Sequence, residues 1–447
     1  MAFLRNTALT CATTFGVTAV NLLTGMLLAH TLGPTGRGLM VPVLLWPQML
    51  SWGAGLSLNF ANLYFGAAEP QTRRRLLANS LCAALILGGL AGAGAALVLP
   101  RFLPLTNAQR PLLTISLLLL PVSVFADAGL ALLMSTHRFD RVSLVRACPP
   151  LVTAACLILF WLTHVLSVTS AILATWAGGY TAVGLIVWFL VRQGYVGARP
   201  DGPLLRRTLR YGVRTHLGTL ASLANTRLDQ LLMTALVAPR TLGLYAFATT
   251  LAEMLNQVAS ATALVLTPKV AGEADALAQR GIAVKSARWV LLLGVAGAAV
   301  LYVAAPALTG LLWGSRFLPA VPTVRVLLPG VVAAGLASAL GAALRGAERP
   351  LPSTIAELAS LSVMVPLLWL LLPRYGIFGA GIASTAAYLL RCAVLVVCFE
   401  RHFGPGSVQA IRPTRDDWQE VCGGVTKILK RPAKNGEMAL TARKGTP

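Results

Sequence analysis

Charged residues are scarce in this chain, and acidic residues are the scarcest of them. Only 12% of the 447 residues are charged, whereas about a quarter is usual for a soluble domain. Hydrophobic residues make up 56% of the chain, and the mean hydropathy is +0.72. This composition excludes an ordinary soluble protein and indicates a chain that crosses a membrane many times.

Motifs for disulfide, zinc and ATP chemistry are also missing. The seven cysteines show no C-x-x-C spacing and lie mostly in or beside apolar segments, so we interpret them as packing residues. No G-x-x-x-x-G-K-[ST] loop occurs, which excludes an ATP-driven pump of the P-loop class. We expect neither a metal nor a cofactor.

Apolar segments long enough to cross a bilayer recur along the chain. A spanning helix needs about 20 mostly apolar residues, and on that criterion we predict twelve transmembrane helices. They cover residues 8–32, 39–66, 78–99, 112–136, 144–163, 167–191, 215–238, 241–268, 287–313, 323–344, 353–372 and 376–399. The first apolar run is too long for a signal peptide, so we interpret it as an uncleaved anchor.

The distribution of basic residues predicts the orientation of these helices. With the N-terminus inside, 28 of the 37 basic residues fall in inner segments, as the positive-inside rule requires. We therefore expect both termini to be cytoplasmic. The net charge of +22 belongs to these loops, and we expect no nucleic-acid partner.

The acidic residues restrict where chemistry could occur. None of the 15 lies in a predicted outward loop, and these loops are short, so the outer face offers no carboxylate for acid–base or metal chemistry. Four lie within predicted helices, namely Asp127, Asp229, Glu253 and Glu357. We therefore predict a transporter that works between its helices rather than an enzyme.

One predicted helix carries two charges near its middle. Residues 216–239 include Arg227 and Asp229, and an ionisable side chain at the bilayer centre costs at least about 2.5 kcal/mol. Such a residue usually faces a polar cavity, so we predict a site here; a structural ion pair between packed helices is the alternative. At about 100° per residue the two side chains point roughly 160° apart, so only one can face a narrow cavity.

Strongly polar side chains are concentrated on the first, second, seventh and eighth predicted helices. They are Asn21, Asn59, Asn62, Asn225, Arg227, Asp229, Glu253, Asn256 and Gln257. Glu253, Asn256 and Gln257 share one face of an ideal helix, since they are spaced i, i+3, i+4. We predict that these four helices surround a polar cavity.

The longest internal polar segment divides the twelve helices into two sets of six. Within residues 192–214, Leu205, Leu209 and Val213 recur beside arginines, which predicts an amphipathic helix on the inner leaflet; a solvated linker is the alternative. The predicted units are an N-terminal six-helix bundle (1–195), an amphipathic cytoplasmic linker (196–214), a C-terminal six-helix bundle (215–400) and a basic cytoplasmic tail (401–447).

The two halves of the chain resemble each other weakly. With an offset of 204 residues Asn21 aligns with Asn225, and after one inserted residue Gly38 aligns with Gly243. Transporters are commonly built from repeated halves with the substrate site at their interface. We therefore predict an all-α polytopic membrane protein with two pseudo-symmetric bundles around a central cavity.

Three segments together resemble the polysaccharide-transporter branch of the multidrug/oligosaccharidyl-lipid/polysaccharide exporter (MOP) superfamily. They are residues 32–38 (LGPTGRG), residues 227–232 (RLDQLL) with 243–246 (GLYA), and residues 375–383 (YGIFGAGIA). The resemblance covers about residues 1–400. It implies a V-shaped pair of six-helix bundles, transport by alternating access and a place in the bacterial cytoplasmic (inner) membrane.

The resemblance also implies a cargo. Such flippases move a polyprenyl-pyrophosphate-linked oligosaccharide from the cytoplasmic to the outer leaflet for lipopolysaccharide or exopolysaccharide biosynthesis, and cavity cations hold the pyrophosphate. The matching cation is Arg227, whose planar guanidinium binds phosphate oxygens bidentately. The candidate substrate-binding residues are Arg227, Asn21, Asn225, Asn59, Asn62, Asn256 and Gln257, and the candidates for a coupling proton or sodium ion are Asp229 and Glu253.

Two other functions stay open. A multidrug or cation antiporter of the same superfamily has this layout, but the acidic residue that some of them use on the first helix has no counterpart here. A membrane-embedded glycosyltransferase or polymer ligase would need catalytic groups in outward loops, which hold no acid. We expect a monomer whose partners are the lipid-linked oligosaccharide and the bilayer.

Overall fold

The computed structural model describes residues 2–136 and 138–412, with side chains from residue 16 onward except at positions 139 and 215. This part of the chain is almost entirely helical and contains no strand. Its α-helices are α1 (Ala2–Ala54), α2 (Leu58–Ala68), α3 (Arg73–Ala83), α4 (Gly89–Phe102), α5 (Gln109–Leu118), α6 (Leu120–Met134), α7 (Phe139–Leu162), α8 (Val168–Arg192), α9 (Gly202–Leu236), α10 (Pro239–Glu253), α11 (Asn256–Ala271), α12 (Ala276–Leu312), α13 (Val321–Gly346) and α14 (Leu351–Phe403). A π-helical turn, Ala84–Gly88, joins α3 to α4.

Two of these helices each contain two membrane crossings. The chain turns within α1 at Gly33, where φ is +63°, and within α14 at Gly376, where φ is +57°. Glycine adopts positive φ without the steric cost that a Cβ atom brings. Both glycines belong to the sequence segments that carry the family resemblance, so these segments are the turns between consecutive helices.

The described residues account for twelve crossings. Seven helices are long and apolar enough to span a bilayer, and the pair α5–α6, bent by 49°, makes an eighth. The second halves of α1 and α14 add two more. The last two are α9 and the pair α10–α11, which carry most of the intramembrane polar residues and are correspondingly less apolar. The predicted twelve-helix, two-bundle fold is confirmed, with α1–α8 as the first bundle and α9–α14 as the second.

The predicted unit boundaries do not coincide with helix ends. Asp201 caps α9 by accepting a hydrogen bond from the backbone N–H of Leu204, and the helix then continues without a break to Leu236. Residues 202–214, predicted as a separate amphipathic linker, are therefore the first turns of a membrane-crossing helix. Likewise α14 runs on to Phe403, and Ile411 packs into the core of the second bundle. The rest of the predicted tail, residues 413–447, lies outside the described residues.

Each bundle has its own apolar core. In the first bundle Leu113, Leu157 and Ile172 are fully enclosed by neighbouring helices. In the second bundle Leu340 and Phe399 take the same role around α13, the most enclosed helix. Burial of such side chains stabilises by about 1.5–3 kcal/mol each in a soluble core, but helices in lipid associate mainly through close packing. A further apolar cluster joins the bundles, since Ala29 of α1 packs with residues of α10, α12 and α13.

The two bundles approach most closely where α1 crosses α10. A Cβ atom on Gly38 would lie 1.7 Å from the carbonyl oxygen of Pro239. A Cβ atom on Gly243 would lie 1.8 Å from the carbonyl oxygen of Pro34. The contact is reciprocal, so Gly38 and Gly243, which the weak repeat aligns, lie around the pseudo-two-fold axis. This crossing closes the space between the bundles on the side predicted to face outward.

Candidate functional site

Arg227 forms an ion pair with Glu253 near the middle of the membrane. Nη2 of Arg227 lies 3.2 Å from Oε2 of Glu253, and Nη1 lies 3.3 Å from Oε1. Arg227 is nine residues, or about 14 Å, from the end of α9. The two side chains remain 33% and 26% exposed. The guanidinium therefore has a counter-ion of its own, and both partners are still accessible.

The carboxylate of this pair lies at the junction of the two helices that form the eighth crossing. Glu253 is the last residue of α10, and α11 begins at Asn256. Met254 and Leu255 between them keep right-handed helical dihedral angles, so the backbone stays helical through the junction. Asn256 is half-buried and Gln257 is exposed. The shared face of Glu253, Asn256 and Gln257 stays a prediction.

Asp229 does not pair with Arg227. Its carboxylate is 1% exposed and accepts hydrogen bonds from Tyr245 Oη at 2.5 Å, from Ser384 Oγ at 3.1 Å and from the backbone N–H of Gln230 at 2.7 Å. These partners enclose it between α9, α10 and α14. The two side chains, predicted to point about 160° apart, thus lie in different surroundings. Arg227 is accessible, and Asp229 is inside the second bundle.

A second ion pair lies deeper in the second bundle. Nη2 of Arg391 is 2.9 Å from Oε1 of Glu357, and the side chains are 14% and 6% exposed. The amide nitrogen of Asn225 donates to Oε2 of Glu357 at 2.6 Å and to its backbone carbonyl at 2.8 Å. Both halves of α14 are therefore joined to α9. Asn225 is fully enclosed in this network and faces no open space.

We expect Glu357→Gln to destabilise the second bundle, because it leaves the Arg391 guanidinium without a counter-ion in a low-dielectric environment. Removing one partner of a buried ion pair costs about 3–5 kcal/mol. Thermal unfolding of the purified protein measures the effect. Replacing both partners with methionine is expected to recover most of the loss, since an apolar pair of similar volume has no charge to compensate. A Glu357→Gln protein that unfolds at the wild-type temperature would contradict this account.

The polar residues of the first bundle are dispersed. Asn62 is buried and donates to Ser80 Oγ at 2.7 Å and to the carbonyl oxygen of Ala128 at 3.2 Å. Asn59 is half-buried at the wall of a small cavity between α2, α6 and α9. Asn21 is exposed on α1. The hydrogen bonds of Asn62 are those of a residue that fixes helix packing.

Residues 77–322 match the sequence family described as polysaccharide biosynthesis protein. This match spans more than half of the 447 residues. The chain belongs to the polysaccharide biosynthesis protein family. The resemblance found from three short segments is therefore confirmed. No curated protein sequence matches the chain.

The fold of this family member is similar to those of solved MOP-superfamily transporters. The lipid II flippase MurJ in an inward closed conformation aligns with a TM-score of 0.74 at 13% identity, covering 96% of this chain and 94% of that one. An inward-facing multidrug resistance MATE-family transporter aligns at 0.70 with 19% identity, covering 89% and 96%. The outward-facing conformation of a MATE-family transporter aligns at 0.63 with 19% identity, covering 92% and 96%. Family and fold support the prediction of a membrane transporter over that of an enzyme.

In this family member the predicted site residues fall into three groups. Arg227 and Glu253 come together as an accessible pair. The second group is enclosed by protein partners and consists of Asn62, Asn225 and Asp229. The third group is half-buried or exposed and consists of Asn21, Asn59, Asn256 and Gln257. The partners Tyr245 and Ser384 and the pairing of Glu357 with Arg391 were not predicted. The available signal was that Glu357 and Arg391 are opposite charges within predicted spans.

Proposed function

We propose that this chain is a flippase that moves a polyprenyl-pyrophosphate-linked oligosaccharide from the cytoplasmic to the outer leaflet for cell-surface polysaccharide biosynthesis. The observation that carries the proposal is the accessible ion pair of Arg227 and Glu253 at mid-depth. A guanidinium held by one carboxylate can release it in favour of a better-matched anion. The family and the MOP fold support a lipid-linked cargo.

Exchange of the counter-ion gives a transport cycle. Pyrophosphate offers oxygens that fit the planar fork of Arg227 at two points, so the arriving headgroup displaces Glu253. A free carboxylate at this depth is costly, and Glu253 therefore takes up a proton or a sodium ion as the cargo binds. On the far side Glu253 releases that cation and pairs again with Arg227, which expels the headgroup.

Alternating access then needs the outer contact to open. In the present state the α1–α10 crossing around Gly38 and Gly243 holds the bundles together on the predicted outer side. Cargo enters from the inner leaflet and binds Arg227. The bundles then rock about the pair, separating this crossing and exposing the headgroup to the outer leaflet.

We also propose that the first turns of α9 rest on the anionic inner leaflet. Arg206, Arg210 and Arg214 are exposed and form a row about 12 Å long beside a pocket of about 620 Å³. Arg207 is neutralised by Glu69, whose Oε1 lies 2.6 Å from its Nη2. Three cations at the headgroup level attract anionic lipid by about 1 kcal/mol each.

Changing Arg206, Arg210 and Arg214 together to glutamine is expected to reduce the phosphatidylglycerol that co-purifies with the protein relative to phosphatidylcholine. Lipid mass spectrometry measures the ratio. The matched control changes Arg138, Arg141 and Arg146, another three basic residues on the predicted inner side. Equal losses in both triple variants would show that charge alone, and not this row, recruits the lipid.

The direct test of the proposed function is transport by the purified chain in liposomes. A polyprenyl-pyrophosphate oligosaccharide with a fluorescent sugar is placed in both leaflets, and an impermeant reagent reports the fraction that reaches the outside. Protein-dependent movement of this lipid, inhibited by excess unlabelled pyrophosphate lipid, is expected. No movement of the lipid together with ion-driven efflux of an organic cation would establish the antiporter instead. Transfer of labelled sugar to an acceptor would establish a glycosyltransferase or ligase.

A further inference from the structure

The first bundle contains a carboxylate that forms no ion pair with any cationic side chain the structure describes. Asp127 lies on α6, seven residues before its end, within the fourth crossing. Across residues 16–136 and 138–412, its one hydrogen-bond partner is Ser51 Oγ at 3.5 Å, at the limit of hydrogen-bond length. A charged carboxylate in a spanning helix is costly without a partner. Asp127 is therefore neutralised either by a proton or by another cation from outside the protein.

The other three intramembrane carboxylates are already compensated. Glu253 is paired with Arg227 and Glu357 with Arg391. Asp229 accepts three hydrogen bonds within the second bundle. Taking up a cation at any of these would break or crowd an existing contact. Among the described residues, Asp127 is the one of these four carboxylates that has neither an ion-pair partner nor a set of three hydrogen bonds.

Two cavities border Asp127. The first, about 290 Å³, lies inside the first bundle between α1, α6 and α8. Its walls carry hydroxyl, amide and aromatic groups, including Gln48, Ser51, Ser123, Thr175, Trp176 and Tyr180. The second, about 270 Å³, lies between the first bundle and α9. Both exceed the roughly 30 Å³ that one water occupies in the liquid, so a cation can reach the carboxylate with part of its hydration shell.

We propose that Asp127 and the walls of these cavities form a binding site for one monovalent cation. Hydroxyl and amide oxygens beside a single carboxylate suit a sodium ion, whereas Ca²⁺ prefers several carboxylates and carbonyls. The indoles of Trp52 and Trp176, which line the same space, also fit a small ammonium ion.

The site lies where it can influence the contact between the bundles. Thr219 and Leu223 of α9 form the far wall of the second cavity, opposite Asp127. Charging or neutralising the carboxylate of Asp127 therefore changes the free energy of packing α9 against the first bundle. The site is separate from the Arg227–Glu253 exchange, and its existence does not depend on which cargo the chain moves.

Few other ionisable groups face these cavities. Tyr180 of α8 lines the first. His216 of α9 lies beside the second, with Nδ1 3.1 Å from Ser57 Oγ. Arg73 of α3 is directed to the inner end of α6, where it donates to the carbonyl oxygens of Gly66 and Ser135. A response at Asp127 can therefore be distinguished from these groups by identifying the modified residue.

Carbodiimide labelling of the wild-type protein tests the site directly, because the reagent adds to protonated carboxyls in apolar surroundings. The purified full-length chain is labelled over a range of pH in sodium, tetramethylammonium or inert N-methylglucamine chloride, and peptide mass spectrometry locates the adduct. We expect labelling at Asp127 to exceed that at Asp229 and Glu357. A protecting cation at ten times its dissociation constant is expected to slow the reaction about tenfold.

Each result of that labelling has a meaning. Protection by sodium assigns sodium, and protection by tetramethylammonium assigns an organic cation. Either protection supports a monovalent-cation site, whereas dependence on pH alone is the ordinary titration of a carboxyl and would overturn the proposal. Labelling at Asp127 that is indifferent to pH and to every cation, or that changes equally at Asp229 and Glu357, would overturn the proposal.

Tryptophan fluorescence gives a second readout, since Trp52 and Trp176 line the cavity. Wild-type protein is expected to show a saturable change with the assigned cation, and Asp127→Asn to lose it while keeping the side-chain shape. Asp140→Asn is the matched control, because Asp140 is an exposed carboxylate at the start of α7. A change that persists in Asp127→Asn would also overturn the proposal, and the wild-type labelling decides if that variant does not fold.

Discussion

Gly243→Ala is expected to force apart the closest contact between the two bundles. The new Cβ atom would lie 1.8 Å from the carbonyl oxygen of Pro34, far inside van der Waals contact, and the neighbour is backbone that cannot rotate away. Overpacking of this kind typically costs about 1–3 kcal/mol. The cost falls only on the state in which α1 and α10 touch. The equilibrium between closed and open outer sides should therefore shift toward the open state by about 5- to 150-fold.

Spin-label distances across the outer ends of α1 and α10 measure this shift, and the transport assay measures its consequence. A protein that closes poorly on the outer side should flip lipid more slowly. Gly25→Ala is the matched control, because Gly25 lies on α1, the helix that α10 crosses, and has nothing within 4 Å of its added Cβ atom. Equal behaviour of Gly25→Ala and Gly243→Ala would show that the crossing is not the closing contact.

The double variant Gly38→Ala/Gly243→Ala provides an internal check. Both Cβ atoms point into the same crossing, since each meets the proline carbonyl of the opposite helix. Separating the helices for one alanine also makes room for the other. The two effects should therefore be clearly less than additive, as is usual for residues that share a contact.

Arg227→Gln is expected to weaken binding of the lipid-linked cargo by about 10- to 150-fold, because hydrogen bonds to charged groups contribute about 1.5–3 kcal/mol. Glutamine keeps a polar amide but has neither the charge nor the fork. Glu253→Gln should have the opposite effect on binding. It frees the guanidinium from its internal competitor, so the cargo binds more tightly, while turnover falls because no carboxylate returns to expel the headgroup.

Binding of a fluorescent polyprenyl-pyrophosphate oligosaccharide, with inorganic pyrophosphate as competitor, measures both variants. Arg227→Lys is the matched control, since it retains the charge without the planar fork and should lie between wild type and Arg227→Gln. The opposed signs are the decisive feature. If Arg227→Gln and Glu253→Gln both weaken binding to a similar extent, their ion pair is structural and does not exchange with the headgroup.

Much of the fold could be predicted because the bilayer imposes simple rules on sequence. Each crossing needs a long apolar segment. These segments were recognisable even where two crossings are joined only by a turn at one glycine, Gly33 or Gly376. The predicted linker boundary at residue 214 has no counterpart in a helix end, because α9 runs unbroken from Gly202 to Leu236. Hydrophobicity marks where the environment changes, and here the environment changes in the middle of one helix.

The candidate site could be predicted only in part. Helical periodicity correctly indicated that Arg227 and Asp229 leave α9 in different directions. It also placed Glu253 on one face with Asn256 and Gln257, and the junction of α10 with α11 falls between these residues. Nothing in the spacing indicated that Glu253 would be the partner of Arg227.

The sequence by itself determined the twelve crossings and the small set of charges that the membrane must accommodate. Only the tertiary structure decided how those charges are matched: Glu253 with Arg227, Glu357 with Arg391, and Asp127 with no cationic side chain among the described residues. The physical reason is that spacing within a helix sets the direction of a side chain, whereas its partner depends on which helix packs there and at what depth.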